Sequence, residues 1–491
     1  MLIYDFEQRG NLSKYQYLYQ CLKADILSGT LTEGEKMPSK REMAKVNGIS
    51  VKTVMNAYDQ LLMEGYLTSR ERSGYYVVSD FNSALRYQEI NFPLPAPEQE
   101  EEWKADFTAN TSVYEKFPFS TWTRVLRQVC ADCGADLMRR GDFLGNRELR
   151  QEIAKYLYRT RGMVASPDCI VIGTGIEYLY SKLIKLLPAN AVYAVESPGY
   201  RKIPHIYDEF DVKWTWTEMD SGGIRMKSLR DSGATVVHVS PEHHYPLGTV
   251  MTARRRQELL KWLQESPERY IIEDDYDCEF RYRGHAIPAL CSLDNSHRVI
   301  YMNTFSKTLS PAIRISYMVL PERLLKQYVA SANFFSNTSS NLEQQTLARF
   351  IRDGYFDRHL NRMRKYCYGQ GEMLRSVIAE TPSIPSDGIS GVETGTHLLV
   401  RLRTDLPDSE VKLRARLKGI NLHCLSEFCI GSGEKYGHVL VLNYLNKEKK
   451  EIREIVGMLG EIFGNNRELA DVKGRGGGGG RATAGSGQAA D

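Results

Sequence analysis

The chain has 491 residues, 42% hydrophobic and 25% charged, and a formal net charge of +3. That length exceeds one ordinary core, so two or more domains are expected. A charge so near zero excludes binding as a whole-chain polyelectrolyte, and any nucleic-acid site must be a local patch.

Nine cysteines without framework spacing point to a reducing compartment. Cys130-Ala-Asp-Cys133 is a lone C-x-x-C with no second pair, read as ordinary thiols, and no metal site is expected. The opening MLIYDFEQRG lacks the basic and apolar regions of a signal peptide. No apolar run approaches the ~20 residues of a bilayer span. The expectation is a soluble cytoplasmic protein that does not meet the membrane.

Residues 1–79 carry short helical patterns and then a hairpin. Tyr15 to Leu27 has apolar residues at helical spacing: Leu18, Cys21, Leu22, Ala24 and Ile26. Ser39 and Glu42 form an S-x-x-E capping box opening a second helix that ends near Gly48. Ser50 caps a third, Val51 to about Glu64, whose inward stripe is Val54, Ala57, Tyr58, Leu61 and Leu62. Lys52, Thr53 and Asn56 then lie on its outer face near the start, where a recognition helix meets base edges. Tyr66-Leu67-Thr68 and Tyr75 to Val78 flank a tip that carries Arg70, Arg72 and Gly74. This is the pattern of an α+β winged helix-turn-helix. Between residues 36 and 52, Lys36, Lys40, Arg41, Lys45 and Lys52 face only Glu42, a local excess suited to phosphates of double-stranded operator DNA. The alternative is a helical dimerisation module with a solvated charged face.

The run SGTLTEGEKMPSKREMAKVNGISVKTVMNAYDQLLMEGYL, followed by RSGYYVV, resembles the DNA-binding domain of the GntR family of bacterial repressors. The resemblance implies that Ser39, Arg41, Lys52, Thr53 and the wing at Gly74 approach DNA.

Residues 80–104, with three prolines and an acidic run, read as a linker. Residues 466–491, including GRGGGGGRATAGSGQAAD from Gly474, read as a disordered tail. Between them, 105–465 alternate strand and helix patterns, the mark of an α/β domain. Five strand candidates each lead into an unusual polar cluster. Ile170 to Ile172 leads to Gly173-Thr174-Gly175. Ala191 to Val195 leads to Glu196-Ser197-Pro198-Gly199-Tyr200. Thr235 to Val239 leads to SPEHHYPLG, Tyr270 to Ile272 to Glu273-Asp274-Asp275-Tyr276, and Val299 to Met302 to Ser306-Lys307. In open α/β sheets the carboxyl ends of the strands are where ligands bind, so the clusters converge on one pocket.

The set defines a chemistry. A Gly-x-Gly turn opening a helix offers N–H groups to a phosphate, with Ser306 and Arg314 beside it. Lys307, desolvated among cations, becomes an amine nucleophile able to form a Schiff base. An aspartate at a strand end holds a proton on a ring nitrogen. Together these describe pyridoxal 5'-phosphate. His238, Glu242, His243 and His244 have residue types that ligate metals, but tight turns and hydrogen-bonded imidazoles are the reading preferred here.

The stretches LGNRELRQEIAKYLYRTRGM, VIGTG, VESPGY, SPEHHYPLG, EDDYDCEFRY and NTFSKTLSPAIRISYMVLP resemble a fold-type I aminotransferase, with large and small subdomains, across 105–465. Head, linker and this domain in that order resemble the MocR/GabR subfamily of GntR regulators. The resemblance implies Lys307 as the cofactor-bearing lysine, Asp274 on the pyridine nitrogen (Asp275 the runner-up), and Tyr276 near the ring hydroxyl. It also implies Arg314, Ser306 and the Thr174–Gly175–Ile176 turn on the phosphate, Tyr200 stacked on the ring, and a domain-swapped homodimer. Two departures stand out. Tyr245 occupies the place of an asparagine, and Val441 stands where aminotransferases carry the arginine that clamps the substrate carboxylate. Loss of that clamp argues against efficient turnover of amino acids; Arg401 and Arg403 are possible substitutes. The expected function is a transcription regulator sensing an amine or amino-acid effector, or the cofactor itself, with an active aminotransferase carrying a regulatory head as the alternative.

Overall fold

A computed structural model describes residues 2–71, 73–78, 102–108, 116–284, 287–431 and 433–463. Arg72, the linker up to residue 101 and the glycine-rich tail therefore lie outside the described residues. Contacts divide the chain into two units, residues 1–100 and 101–491.

The first unit has helices α1 (Lys14–Ser28), α2 (Lys40–Val46) and α3 (Val51–Met63), then an antiparallel hairpin of β1 (Leu67–Arg70) and β2 (Gly74–Val77). Each helix begins at a serine cap. Ser39 Oγ accepts the Glu42 N–H at 3.2 Å, and Ser50 Oγ accepts the Thr53 N–H at 3.1 Å. Leu18, Leu22 and Ile26 of α1 pack on Val54, Ala57, Tyr58 and Leu61 of α3, with Val77 beneath. The buried stripes are narrower than the periodicity predicts: in α1 Ala24 is exposed and Cys21 only half-buried, and in α3 Leu62 is half-buried. The second helix stops two residues before Gly48, where the Asn47 amide turns to donate to the carbonyl of Leu2.

In the second unit β3 (Ala105–Asp106) precedes a large eight-stranded sheet. Its strands are β4 (Ile170–Thr174), β5 (Tyr193–Ser197), β6 (Trp214–Asp220), β7 (Gly223–Ile224), β8 (Val236–Val239), β9 (Tyr270–Asp274), β10 (Val299–Thr304) and β11 (Ile315–Val319). They lie in the order β4-β11-β10-β9-β8-β5-β6-β7. The centre, β10-β9-β8-β5-β6, is parallel, while β11 runs antiparallel to both β4 and β10. Strands covered on both faces read as continuous apolar runs, and every residue of β5 and β10 is buried.

A four-stranded antiparallel sheet follows, β12 (Ser386–Ser390), β13 (His397–Leu402), β16 (Val439–Asn443) and β15 (His423–Cys424) in spatial order. Strand β14 (Ile420–Asn421) pairs with β3. The 25-residue helix Tyr355–Ala379 joins the two subdomains: Phe356 and Leu360 sit in the core under the large sheet, while Met363, Cys367, Leu374 and Val377 sit in that of the small one.

Four strands of this sheet run farther than their apolar runs predict, into Gly173–Thr174, Glu196–Ser197, Glu273–Asp274 and Asn303–Thr304. Polar residues persist in a buried strand where partners are at hand. The Glu273 carboxylate accepts the N–H groups of Leu290 and Cys291, both at 2.8 Å.

Candidate functional site

The polar ends of β5, β9 and β10 open onto one cavity of about 360 Å³. Lys307 follows β10 and faces into it, half-buried and without a hydrogen bond or ion pair to any described residue. Burial pushes its ammonium pKa down, against an opposing pull from the Asp277 carboxylate. A lowered pKa raises the fraction of free amine, which is the nucleophilic form.

Asp274, at the end of β9, faces the same space. Its Oδ2 accepts the Tyr180 hydroxyl at 2.7 Å and lies 3.6 Å from His238 Nε2, while its Oδ1 is buried with no partner. Burial, with the Asp274 carboxylate next in weight, pushes the Tyr180 hydroxyl far up, so it stays protonated and donates. His238 Nδ1 in turn lies 3.0 Å from the Tyr207 hydroxyl. One carboxylate oxygen is thus fixed from behind and the other is left for a donor in the cavity. Asp275 is turned away, its carboxylate 2.9 Å from Arg161 Nε and bonded to the Tyr301 hydroxyl at 2.7 Å.

At the other end, the helix Ile176–Leu186 begins at Gly175, which has no side-chain cap. Gly175 has φ of +80°, and a Cβ there would meet Arg314 Nη2 at 2.2 Å, so only glycine lets that guanidinium cross the helix start. Arg314 is itself left-handed, at φ 49°. Its Nη2 lies 3.1 Å from Glu177 Oε2, and Lys202 pairs with the other oxygen of Glu177. Ser306 lines this end, its Oγ accepting the Thr304 hydroxyl at 3.0 Å.

Tyr276 and Tyr200 also line the cavity, Tyr200 standing exposed with its ring edge-on to Tyr245 at 6.0 Å. Deeper in, His244 Nε2 is 3.5 Å from Glu196 Oε2, which accepts the Ser240 N–H at 3.1 Å. Burial raises Glu196 to about 8 and lowers His244 to about 3, so near neutral pH the two face each other uncharged.

In the first unit Arg41, Lys52 and Asn56 are exposed, as are Lys36 and Lys45. Thr53 is half-buried, its hydroxyl 2.8 Å from Ser50 Oγ. Lys40 is partly engaged within the fold, 3.8 Å from Asp59 and 4.9 Å above the Tyr75 ring. Arg70 lies over Tyr76 at 4.5 Å, and Gly74, at φ 115°, closes the wing beside Lys36.

Residues 14–77 match the family of bacterial regulatory proteins, gntR family, and residues 104–417 match aminotransferase class I and II. The chain is 37% identical to the uncharacterized HTH-type transcriptional regulator YdeL of Bacillus subtilis, over 84% of this chain and 89% of that one. It is 30% identical to the probable rhizopine catabolism regulatory protein MocR of Rhizobium meliloti, over 94% and 96% of the two chains. The chain belongs to the GntR regulators that carry an aminotransferase class I and II domain. Its head is a winged helix-turn-helix that binds DNA, and its larger unit is a fold-type I aminotransferase-like domain whose cofactor is pyridoxal 5'-phosphate. Kynurenine aminotransferase of Pyrococcus horikoshii, solved with PMP, shares this fold with a TM-score of 0.65 at 22% identity, over 74% of this chain and 91% of its own.

For this regulator, the structure brings Lys307, Asp274, Tyr276, Arg314, Ser306, Ile176 and Tyr200 to one cavity. It does not bring Thr174 there. The Thr174 N–H donates to Thr338 Oγ1, and its hydroxyl lies 3.2 Å from Ser339 Oγ. Gly175 serves through its missing side chain, since its own N–H is donated to the carbonyl of Arg314 at 3.0 Å. His238, His243 and His244 go to separate partners, namely Asp274, Asp277 and Glu196. Arg401 and Arg403 are exposed and absent from the cavity lining, with Arg403 paired to Asp387 at 3.0 Å.

Sequence reasoning missed Tyr180, Glu177 and Lys202, and placed Glu196 at the pocket without its histidine partner. Tyr180 shares the buried stripe of its helix with Leu179 and Leu183, and nothing at helical spacing separates a hydroxyl aimed at Asp274 from one aimed at solvent. Glu177 had a readable cue, an acidic residue in the first turn of a helix expected to hold an anion.

Proposed function

We propose that the cavity holds pyridoxal 5'-phosphate between Lys307, Asp274 and Arg314, and that its occupancy or substitution by a small amine governs how the head engages its operator. The observation that carries this reading is the pairing, in one cavity, of an unpartnered lysine with the partnerless Asp274 Oδ1. When bound, the cofactor supplies an aldehyde that a primary amine attacks and a ring nitrogen that a carboxylate keeps protonated. Asp274, held in place by Tyr180 and His238, would accept the hydrogen bond of that ring N–H through its free Oδ1. Tyr276 would serve the ring hydroxyl, and Tyr200, at the exposed side of the cavity, would stack on the ring. Arg314, Ser306 and the start of the helix at Ile176 take the phosphate. An amine or amino-acid effector would compete with the Lys307 amine for the cofactor; in the simpler variant the cofactor itself is the effector.

The reading includes a homodimer acting in the cytoplasm, its two heads spaced by the state of the larger domains. Among the described residues no helix is long and apolar enough to cross a membrane. Ser39, Arg41, Lys52, Thr53, Asn56 and the wing at Arg70 and Gly74 meet the DNA, with Lys40 beside them; Arg72, outside the described residues, is assigned to the same wing by sequence alone. Regulation is favoured over sustained turnover by Val441, which is buried among Leu399, Leu425 and Phe428 where a carboxylate clamp is expected.

The test is spectroscopic. Purified full-length protein with added cofactor is expected to show the visible band of a lysine-bound pyridoxal group, and Lys307→Ala to lose it. A wild type that stays colourless overturns the proposal.

A further inference from the structure

The groups suited to the phosphate are already engaged by an anion of the chain itself. Glu177 stands in the first turn of the 11-residue helix Ile176–Leu186, facing the cavity. One carboxylate oxygen lies 3.1 Å from Arg314 Nη2, and the other is paired with Lys202 Nζ. The Glu177 backbone N–H also holds the carboxylate in its charged form. Burial works to raise this carboxyl, and Lys202, that N–H and Arg314 together overcome it and bring it below the usual range. A guanidinium, an ammonium and a helix N–H are the donors an incoming phosphate needs. The N–H of Gly175 is no substitute, because it is committed to the carbonyl of Arg314.

We propose that Glu177 is a built-in competitor for the cofactor phosphate, occupying Arg314 and Lys202 until the phosphate displaces it. This rests on the reading of the cavity as a pyridoxal phosphate site. A dianionic phosphate and a carboxylate at one guanidinium repel, so seating the phosphate requires Glu177 to release Arg314. The result is weakened, reversible binding, with occupancy that follows the free cofactor concentration. Weak occupancy is a handicap for an enzyme that must stay loaded. It suits a regulator that reports how much cofactor, or how much competing amine, is present.

The experiment is an equilibrium titration of cofactor-free, full-length protein, followed by the visible band. Wild type, Glu177→Gln and Glu177→Ala are compared with pyridoxal 5'-phosphate and with pyridoxal, which lacks the phosphate. Both variants are expected to bind pyridoxal 5'-phosphate about tenfold tighter, the size of one partly screened charge interaction, and to bind pyridoxal within about twofold of wild type. Unchanged or weaker binding of the phosphorylated form in both variants overturns the proposal, leaving Glu177 a holder of Arg314. Tightening that is equal for pyridoxal also overturns it, since the effect would not pass through the phosphate. A wild type without a band fails the cofactor reading itself, whereas a wild type that binds normally beside unimproved variants fails only this inference.

Discussion

The two units handle charge in opposite ways. In the head, Arg41, Lys45 and Lys52 stand in solvent above a core of aliphatic residues around Tyr58. In the larger unit, Arg161, Glu242, Arg256, Glu273, Asp275 and Glu279 are each at most 5% exposed. Arg161 lies 2.9 Å from Asp275 and 3.4 Å from Glu242, which also meets Arg256 and Arg281. Burial raises Glu242 and takes Glu279 to about 7. A surface built for phosphates can lose a cation and keep its fold. A buried network cannot, because each group is what makes its neighbour tolerable in a medium that solvates neither.

The comparison is broken most directly at Arg161. Arg161→Ala removes the ion-pair partner of buried Asp275, leaving it the Tyr301 hydroxyl, and takes one of three arginines from buried Glu242. A loss of about 3–5 kcal/mol is expected in urea unfolding, the usual cost of removing one side of a buried pair. A loss below about 1 kcal/mol, the range of exposed pairs, would mean that water reaches this network and that the contrast between the units is false.

That network also marks the limit of what the sequence disclosed. The strand-to-loop order made the cavity legible, since β5, β9 and β10 are uniformly apolar until their last residues and their polar ends share one rim. Lys307 and an aspartate at the end of β9 could be read from that order, while Asp274 as the one of the pair came from the family resemblance. The alternation of a strand separates Asp274 from Asp275 only once the facing elements are known, because either acid can be the one aimed at the rim. The contacts of Tyr180, His238 and Glu196 were hidden because their partners lie 94, 36 and 44 residues away, at Asp274 and Ser240. In the head the determining contacts are local, serine to the third residue on, so caps and helix starts were readable while the exposure of Ala24 was not.

Glu196 sharpens the contrast through pH. Its carboxyl titrates near 4.5 when unfolded and at about 8 in the folded chain, so the folded state holds the proton more tightly. The stability carried by that proton is complete below about pH 4.5 and is lost as pH rises through about 8. Relative to Glu196→Gln, wild type is expected to lose about 1 kcal/mol per pH unit between roughly pH 5 and 8, then level off. Unfolding titrations of the cofactor-free protein at several pH values check this. Parallel profiles for the two proteins would show that Glu196 stays ionised and that His244 faces a charge.

The smallest effect on stability, and a large one on function, belongs to the head. Arg41→Ala and Lys52→Ala remove exposed cations with no ion pair among the described residues, so each should change unfolding free energy by less than about 0.5 kcal/mol. Each cation that meets a phosphate contributes about one to the slope of log affinity against log salt. The double variant should therefore bind operator DNA with a slope shallower by about two, keep its cofactor band, and bind more weakly at every salt concentration. Lys40, half-engaged with Asp59 and Tyr75, should lower the slope by less than either when replaced by alanine. If the double variant instead lost stability while keeping its salt slope, the charges of the head would be structural like those of the larger unit. The DNA face would then have to be sought elsewhere on the winged helix.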